Sequence, residues 1–251
     1  MENPVFNNPA LNLSEFKKIA SYIEEKVGIK MPEQKRLMMQ SRLVGRLNAL
    51  NLNSFKEYID YIFSEQSGAE LVIMIDKMTT NLTEFFRESV HFDFLTDHVL
   101  PEYTKNRRNN FKLWSAGCST GQEAYTLSIV MAEFARMNPS AALTYKILAT
   151  DVSTQVLAKA RNAVYPLESV QKLSAELKKR YFLKSTKLAD PAVRVKPEVR
   201  NKVTFKHLNF MDSNFGFRSS MQVIFCRNVL IYFDKPTQKK VLSKFMDYLE
   251  K

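Results

Sequence analysis

Apolar residues recur at helical spacing through roughly the first third of the chain. Phe16, Ile19, Ala20, Ile23 and Val27 stand at i, i+3, i+4, i+7 and i+11, which predicts a helix capped by Ser14 and ended by Gly28. Leu37, Leu43, Val44, Leu47 and Leu50 predict a second helix after Pro32. A third begins at Ser54, where Ser54 and Glu57 have capping-box spacing, and buries Phe55, Tyr58, Ile59, Ile62 and Phe63. Residues 70–78 read as a fourth, with Leu71, Met74, Ile75 and Met78 inward. Short connections between amphipathic helices make residues 1–80 a small all-α domain.

The pattern changes near residue 110. Residues 111–116 are a short β-like run that ends in Gly117-Cys118-Ser119-Thr120-Gly121, and a helical stretch follows over 122–136. Residues 145–150 are a second run, ending at Asp151, with a helix from Ser153. Residues 203–208 and 222–226 are a third and a fourth. Strands alternating with helices imply βαβ crossovers and a parallel sheet, so 111–251 reads as an α/β domain and 81–110 as a linker and connecting helix. Residues 165–202 interrupt the rhythm with a helix over 173–181 and β pieces at 181–183 and 192–195. They read as an inserted β-subdomain with a hairpin around Ala189-Asp190-Pro191.

Composition narrows the class. No apolar run approaches the ~20 residues of a membrane span, and residues 1–16 lack a basic head followed by an apolar core. Two cysteines, Cys118 and Cys226, cannot form a disulfide framework, so a cytoplasmic location is expected. His91, His98 and His207 show no ligand spacing with them, so no metal is expected. The formal charge is +11, unevenly placed: residues 1–75 hold nine basic and nine acidic side chains, whereas 170–207 hold eleven and three. That patch favours an anionic partner, which leaves nucleic acid, an anionic lipid surface and an acidic protein open.

Two features suggest a ligand. Gly117 and Gly121 follow the first strand, where backbone can approach a ligand closely, and their Gly-x-x-x-Gly spacing is neither a dinucleotide nor a phosphate loop. Asp151 at the tip of the second strand can accept from both hydroxyls of a ribose, or serve the cap of the next helix. Together they suggest an adenosine-containing ligand, with S-adenosylmethionine favoured over NAD because no phosphate loop is present.

The segment Asn81-Leu82-Thr83-Glu84-Phe85-Phe86-Arg87 resembles the signature of the chemoreceptor glutamate methyltransferases, the CheR family. The stretch from Trp114 through Gly117-Cys118-Ser119-Thr120-Gly121 to Tyr125 matches that family's cofactor loop. Ala149-Thr150-Asp151-Val152-Ser153 matches its second strand tip, and Phe225-Cys226-Arg227-Asn228-Val229-Leu230-Ile231-Tyr232-Phe233 the block after the fourth strand. Four blocks in the same order, over about residues 12–250, make the resemblance specific.

The resemblance implies a Rossmann-like class I S-adenosylmethionine methyltransferase domain with a small β-subdomain insertion, preceded by an all-α domain. The family continues past a helix at 236–249 with three more strands, so C-terminal strands of the sheet are expected to be missing and the fourth strand to be an open edge. By similarity, Asn81, Thr83, Arg87, Ala116, Gly117, Cys118, Gly121, Glu123, Asp151, Asn209, Phe210, Arg227 and Asn228 should line the cofactor site. Gly117 and Gly121 should wrap the methionine part, with Glu123 near its ammonium. Asp151 should hold the ribose, and Asn209 and Phe210, beside Asp212, should flank the adenine. Arg227 and Asn228 should close around the methyl group. Arg87 and Tyr232 are the expected catalytic pair: Arg87 holds a carboxylate and Tyr232 orients it.

The implied reaction forms a methyl ester on a glutamate side chain and leaves S-adenosylhomocysteine. A carboxylate is already ionised near neutrality, with a pKa of about 4.3, so no general base is needed. The implied substrate is the cytoplasmic helical part of a chemotaxis receptor. Lys35, Arg36, Arg42 and Arg46 on the second helix would meet its acidic face. A receptor C-terminal peptide on the β-subdomain is a further implied partner, although the turn Lys184-Ser185-Thr186-Lys187-Leu188-Ala189-Asp190-Pro191 lacks glycine. A monomer, no membrane insertion and no nucleic acid are expected. Against a nucleic-acid methyltransferase, Cys226-Arg227-Asn228-Val229 stands where an Asn/Asp-Pro-Pro-Tyr/Phe block is expected, and neither cysteine follows proline. The remaining alternative is a non-catalytic cofactor or receptor binder.

Overall fold

In the computed structural model the described residues are 9–64, 68–79, 81–106, 108–186, 191–217 and 220–250. The chain forms two compact units: Met1–Thr80 with Ile231–Lys239, and Asn81–Leu230 with Lys240–Lys251.

The first unit holds helices α1 (Leu13–Val27), α2 (Arg36–Ala49), α3 (Phe55–Ile62) and α4 (Gly68–Met78). The stripe of Phe16, Ile19, Ala20, Ile23 and Val27 is buried, and Gly28 ends α1 in the left-handed conformation. The cap, however, is Asn12, in a reciprocal capping box with Glu15, and not Ser14. Leu37 is 71% exposed; the inward face of α2 is Met39, Leu43 and Leu47. Ser54 caps α3, but Glu57 accepts from the amide of Asn53, so the box is not reciprocal.

Helix α4 buries two acids that periodicity did not single out, Glu70 and Asp76. Arg46 meets Glu70 with a fork of two hydrogen bonds, Nε at 2.9 Å and Nη2 at 2.7 Å, and the Tyr58 hydroxyl donates to the same carboxylate at 2.9 Å. Arg42 Nη1 donates to the carbonyls of Lys77, Met78 and Thr79 and so caps the end of α4.

The second unit begins with helices α5 (Val90–Phe94) and α6 (Leu100–Lys105), joined by a π-helical turn over Leu95–Val99. Then come β1 (Asn110–Ala116), α7 (Gln122–Met137), β2 (Thr144–Asp151) and α8 (Thr154–Asn162). A small sheet follows, made of β3 (Val164–Pro166), β4 (Phe182–Lys184) and β5 (Ala192–Val195), with α9 (Ala175–Tyr181) before β4 and α10 (Pro197–Arg200) after β5. Strands β6 (Val203–His207) and β7 (Val223–Phe225) return to the main sheet, and α11 (Lys235–Met246) follows.

The main sheet has the order β6-β2-β1-β7, all parallel. The small sheet, β3-β5-β4, is antiparallel. Its strand β3 was not expected, and Tyr181 closes α9 instead of opening β4. The turn residues Lys187-Leu188-Ala189-Asp190 lie outside the described residues. Strand β7 is not a bare edge along its approach: Met221 pairs in parallel with Leu249, and Glu250 N–H donates to Met221 at 2.9 Å.

The β1–β2 register sets the site. Ala116 lies opposite Thr150, so both strands end together. Chain order runs outward from β1 through β2 to β6 and then returns to the other side of β1 at β7. That reversal is a topological switch point, where open α/β sheets bind ligands at the carboxyl ends of their strands.

Candidate cofactor and methyl-transfer site

The loop after β1 is clamped to the tip of β2. The amides of Gly117 and Cys118 both donate to the Thr150 carbonyl, at 2.8 and 2.9 Å, and the Trp114 indole donates to the Thr150 hydroxyl at 2.9 Å. Gly117 and Gly121 have φ of +85° and +94°, a region open to glycine. A Cβ on Gly121 would meet Ala160 Cβ at 2.9 Å, so α8 approaches this turn as closely as glycine allows. The Tyr165 hydroxyl on β3 donates to Thr120 O at 2.7 Å, tying the small sheet to the same loop.

Asp151 serves the loop and the cap together. Oδ2 accepts from Ser119 N–H at 2.8 Å, and Oδ1 from Ser153 N–H at 2.9 Å, while Ser153 itself caps α8. The Ser119 hydroxyl donates to Asn81 O at 3.1 Å, so the segment that opens with Asn81 lies on the loop. That segment is held again where Phe86 N–H donates to the Thr126 hydroxyl at 3.1 Å. Phe85 is buried edge-on against Tyr165 and Phe182, and Thr83 is half-buried. Arg87 is half-buried and donates to Leu82 O at 3.0 Å.

Arg227, after β7, is the hub. Nη1 donates to Glu123 at 3.3 Å, Nη2 donates to Glu88 at 3.1 Å and to Arg87 O, and the guanidinium lies 5.2 Å from the centroid of Phe92. Its Nε is buried without a hydrogen-bond partner. Glu123 also accepts from the Ser115 hydroxyl at 2.7 Å. Burial pushes its carboxyl up to about 7, against the pull of the Ser115 hydrogen bond and of Arg227. Asn228, at φ +56°, donates from Nδ2 to Glu88 at 3.1 Å.

Ala116 and Cys118 are both buried at the strand end. Asn209 folds an Asx turn, accepting from Met211 N–H at 2.9 Å. The ring of Phe210 is buried edge-on against Phe245 and Phe215, so the backbone of this turn, more than that ring, is what remains to flank an adenine. Lys244 secures the turn by donating to the carbonyls of Phe210 and Asp212.

Asn81, Arg87, Glu123, Asp151 and Arg227 are thus linked by hydrogen bonds around the glycine loop, and Leu208 N–H, donating to Asp151 O at 3.0 Å, brings the turn at Asn209 and Phe210 beside them; no hydrogen bond among the described residues places Thr83 there. Tyr232 belongs to the first unit: its carbonyl accepts from Lys30 N–H at 3.0 Å, and Lys35 Nζ lies 5.7 Å from its ring centroid. In the same unit Arg42 and Arg46 are committed to α4 and Glu70, which leaves Lys35 and Arg36 as the more available cations of the expected basic face. Sequence reasoning missed Glu88 and Val229, although each adjoins a residue it named; neither type carries a spacing signal.

Residues 81–251 match the family model described as CheR methyltransferase, SAM binding domain, and residues 14–79 match CheR methyltransferase, all-alpha domain. The chain belongs to the CheR methyltransferase family. It is 38% identical over 248 residues to the chemotaxis protein methyltransferase of Borreliella burgdorferi, covering 97% of this chain and 86% of that protein. Against the chemotaxis protein methyltransferase of Salmonella typhimurium it is 38% identical, covering 96% and 81%, and against that of Escherichia coli 36%, covering 96% and 82%. Membership makes this CheR protein an S-adenosylmethionine-dependent methyltransferase. Its own residues fit that cofactor: two left-handed glycines thin the loop wall, and the buried Nε of Arg227 offers a donor with no acceptor of its own. Among the described residues no cluster of His, Cys, Asp or Glu could hold a metal, and no helix is long and apolar enough to cross a membrane.

Proposed function

We propose that this CheR protein methylates glutamate side chains on the cytoplasmic helical region of chemotaxis receptors. The observation that carries the reading is the linkage of the Asn81–Arg87 signature, the glycine loop and the Arg227–Asn228 pair at the switch point through Asn81, Arg87, Ser119, Asp151 and Glu123. The cofactor supplies a methyl group activated on a sulfonium. The chain's task is to hold a carboxylate oxygen in line with it, at about 3 Å. Arg87 would hold the receptor carboxylate through a charge-assisted contact and Tyr232 would orient it. Asp151 would hold the ribose, Asn209 and Phe210 the adenine edge, Glu123 the ammonium, and Asn81 and Thr83 the near wall.

Lys35 and Arg36 would meet the acidic receptor surface. A receptor C-terminal peptide would add to an edge of the small sheet, where β3 and β4 are the outer strands. The test is labelled S-adenosylmethionine incubated with receptor fragments, DNA or RNA. Base-labile label on the receptor is the expected result. Label on nucleic acid, or no transfer at all, overturns the proposal.

A further inference from the structure

The chain just after Arg87 is bent in a way that binding Arg87 alone does not require. Phe86 and Glu88 both adopt left-handed backbone, at φ +56° and +52°, and across from them Asn228 does the same at φ +56°. Such a conformation strains a non-glycine residue and persists only where its surroundings hold it. Thr126 holds the Phe86 amide, and one carboxylate spans the rest. Glu88 Oε1 accepts from Asn228 Nδ2 at 3.1 Å, and Oε2 accepts from Arg227 Nη2 at 3.1 Å. Arg87 Nε lies 3.7 Å from Oε1. One side chain therefore touches Arg87, Arg227 and Asn228, three of the groups expected around the methyl acceptor.

Removing Glu88 would leave Arg227 with Glu123, and Arg87 with Leu82 O, but would remove the side chain that links Arg87 to Asn228. The charge matters as much as the tether. Methyl transfer to a carboxylate consumes its negative charge, so a surplus of guanidinium around it stabilises the ground state more than the transition state and slows the step. Glu88 offsets one of the two neighbouring guanidinium charges. The carboxylate is 42% exposed, so its ion pairs contribute little to folding stability.

We infer that Glu88 is a positioning residue for methyl transfer: it fixes Arg87, Arg227 and Asn228 against one another and tempers their charge toward the receptor carboxylate. The inference rests on the methyltransferase reading above. The test compares full-length wild type with Glu88→Gln and Glu88→Asp for kcat, receptor KM, S-adenosylhomocysteine affinity and melting temperature. Glu88→Gln keeps the shape and removes the charge. It should lower kcat about tenfold, equivalent to ~1.4 kcal/mol, with receptor KM unchanged or lower and with cofactor affinity and melting temperature unmoved. Glu88→Asp, which restores the charge, should recover part of kcat. Wild-type kcat in Glu88→Gln overturns the inference while leaving the methyltransferase reading intact. So does a kcat loss matched by lost cofactor affinity or stability, which would mark a merely structural role. A wild type that transfers no methyl group to receptor overturns both.

Discussion

A Cβ placed on Gly117 would stand 2.4 Å from Cγ2 of Val229, so the loops that follow β1 and β7 meet with no space for a side chain. Gly117→Ala should therefore fail twice. Left-handed alanine costs about 1–2 kcal/mol, and the clash must also push the Val229 loop, with Arg227 and Asn228 on it, out of place. S-adenosylhomocysteine affinity, read by calorimetry, should fall about tenfold or more. Adding Val229→Ala should relieve the clash and restore part of the affinity, leaving the backbone strain. Wild-type affinity in Gly117→Ala alone would show that this contact does not shape the pocket.

Glu123, as the proposed partner of the cofactor ammonium, should make binding sensitive to pH. With its carboxyl pushed up by burial to about 7, roughly half the ligand-free molecules carry a proton there at neutrality. An ammonium binds the ionised form, so binding releases that proton. Affinity should fall as pH drops below about 7, by up to tenfold per unit, and level off above it. Glu123→Gln should bind more weakly and show a flat profile over the same range. A wild-type profile that is flat between about pH 5.5 and 7 would remove Glu123 from ammonium recognition.

The basic face of α2 divides into structural and available cations. Arg46→Ala leaves the Glu70 carboxylate, whose side chain is 4% exposed, without its counter-charge and with only the Tyr58 hydroxyl of its described side-chain partners, and should destabilise the protein by about 3–5 kcal/mol in urea unfolding. Arg36→Ala should change stability by no more than about 0.5 kcal/mol. Receptor recognition is accordingly tested with Lys35→Glu and Arg36→Glu, which should raise receptor KM and weaken its salt dependence without unfolding the domain. Equal stability of Arg46→Ala and Arg36→Ala would show that the buried fork does not hold α2 to α4.

Acid should loosen the contact between α7 and α9. Burial works against ionisation of Glu133, yet hydrogen bonds from Arg136, Tyr181 and Arg180 hold its carboxyl down at about 2. Its unfolded value is about 4.3, so the stabilisation is present above that pH and is lost as pH falls from about 4.3 toward 2. Glu133→Gln should be less stable at neutral pH by roughly 2–3 kcal/mol, and the gap should close in acid. A gap that stays constant from neutral pH down to about 2.5 would mean the charge of Glu133 contributes nothing.

The four parallel strands and the helices between them were legible because each strand overlaps a run of five or six residues rich in apolar side chains, the first two bounded by Gly117, Asp151 and Ser153. Ser14 lost the cap of α1 to Asn12, two positions earlier, because both residue types cap well and only geometry chooses. Strand β3 was invisible because Val164–Pro166 is short, contains proline and, unlike the equally short β7, has no longer apolar run around it. The family blocks carried most of the candidate site, since their residues chemically resemble their roles. Glu88 carries no such mark: only the fold shows that its carboxylate faces Arg227 and Asn228.

One phenol joins the two sheets of the second unit. Because the Tyr165 hydroxyl grips Thr120 O beside Gly121, the small antiparallel sheet is tethered to the glycine turn, and a substitution that shifts β3 should also disturb that turn.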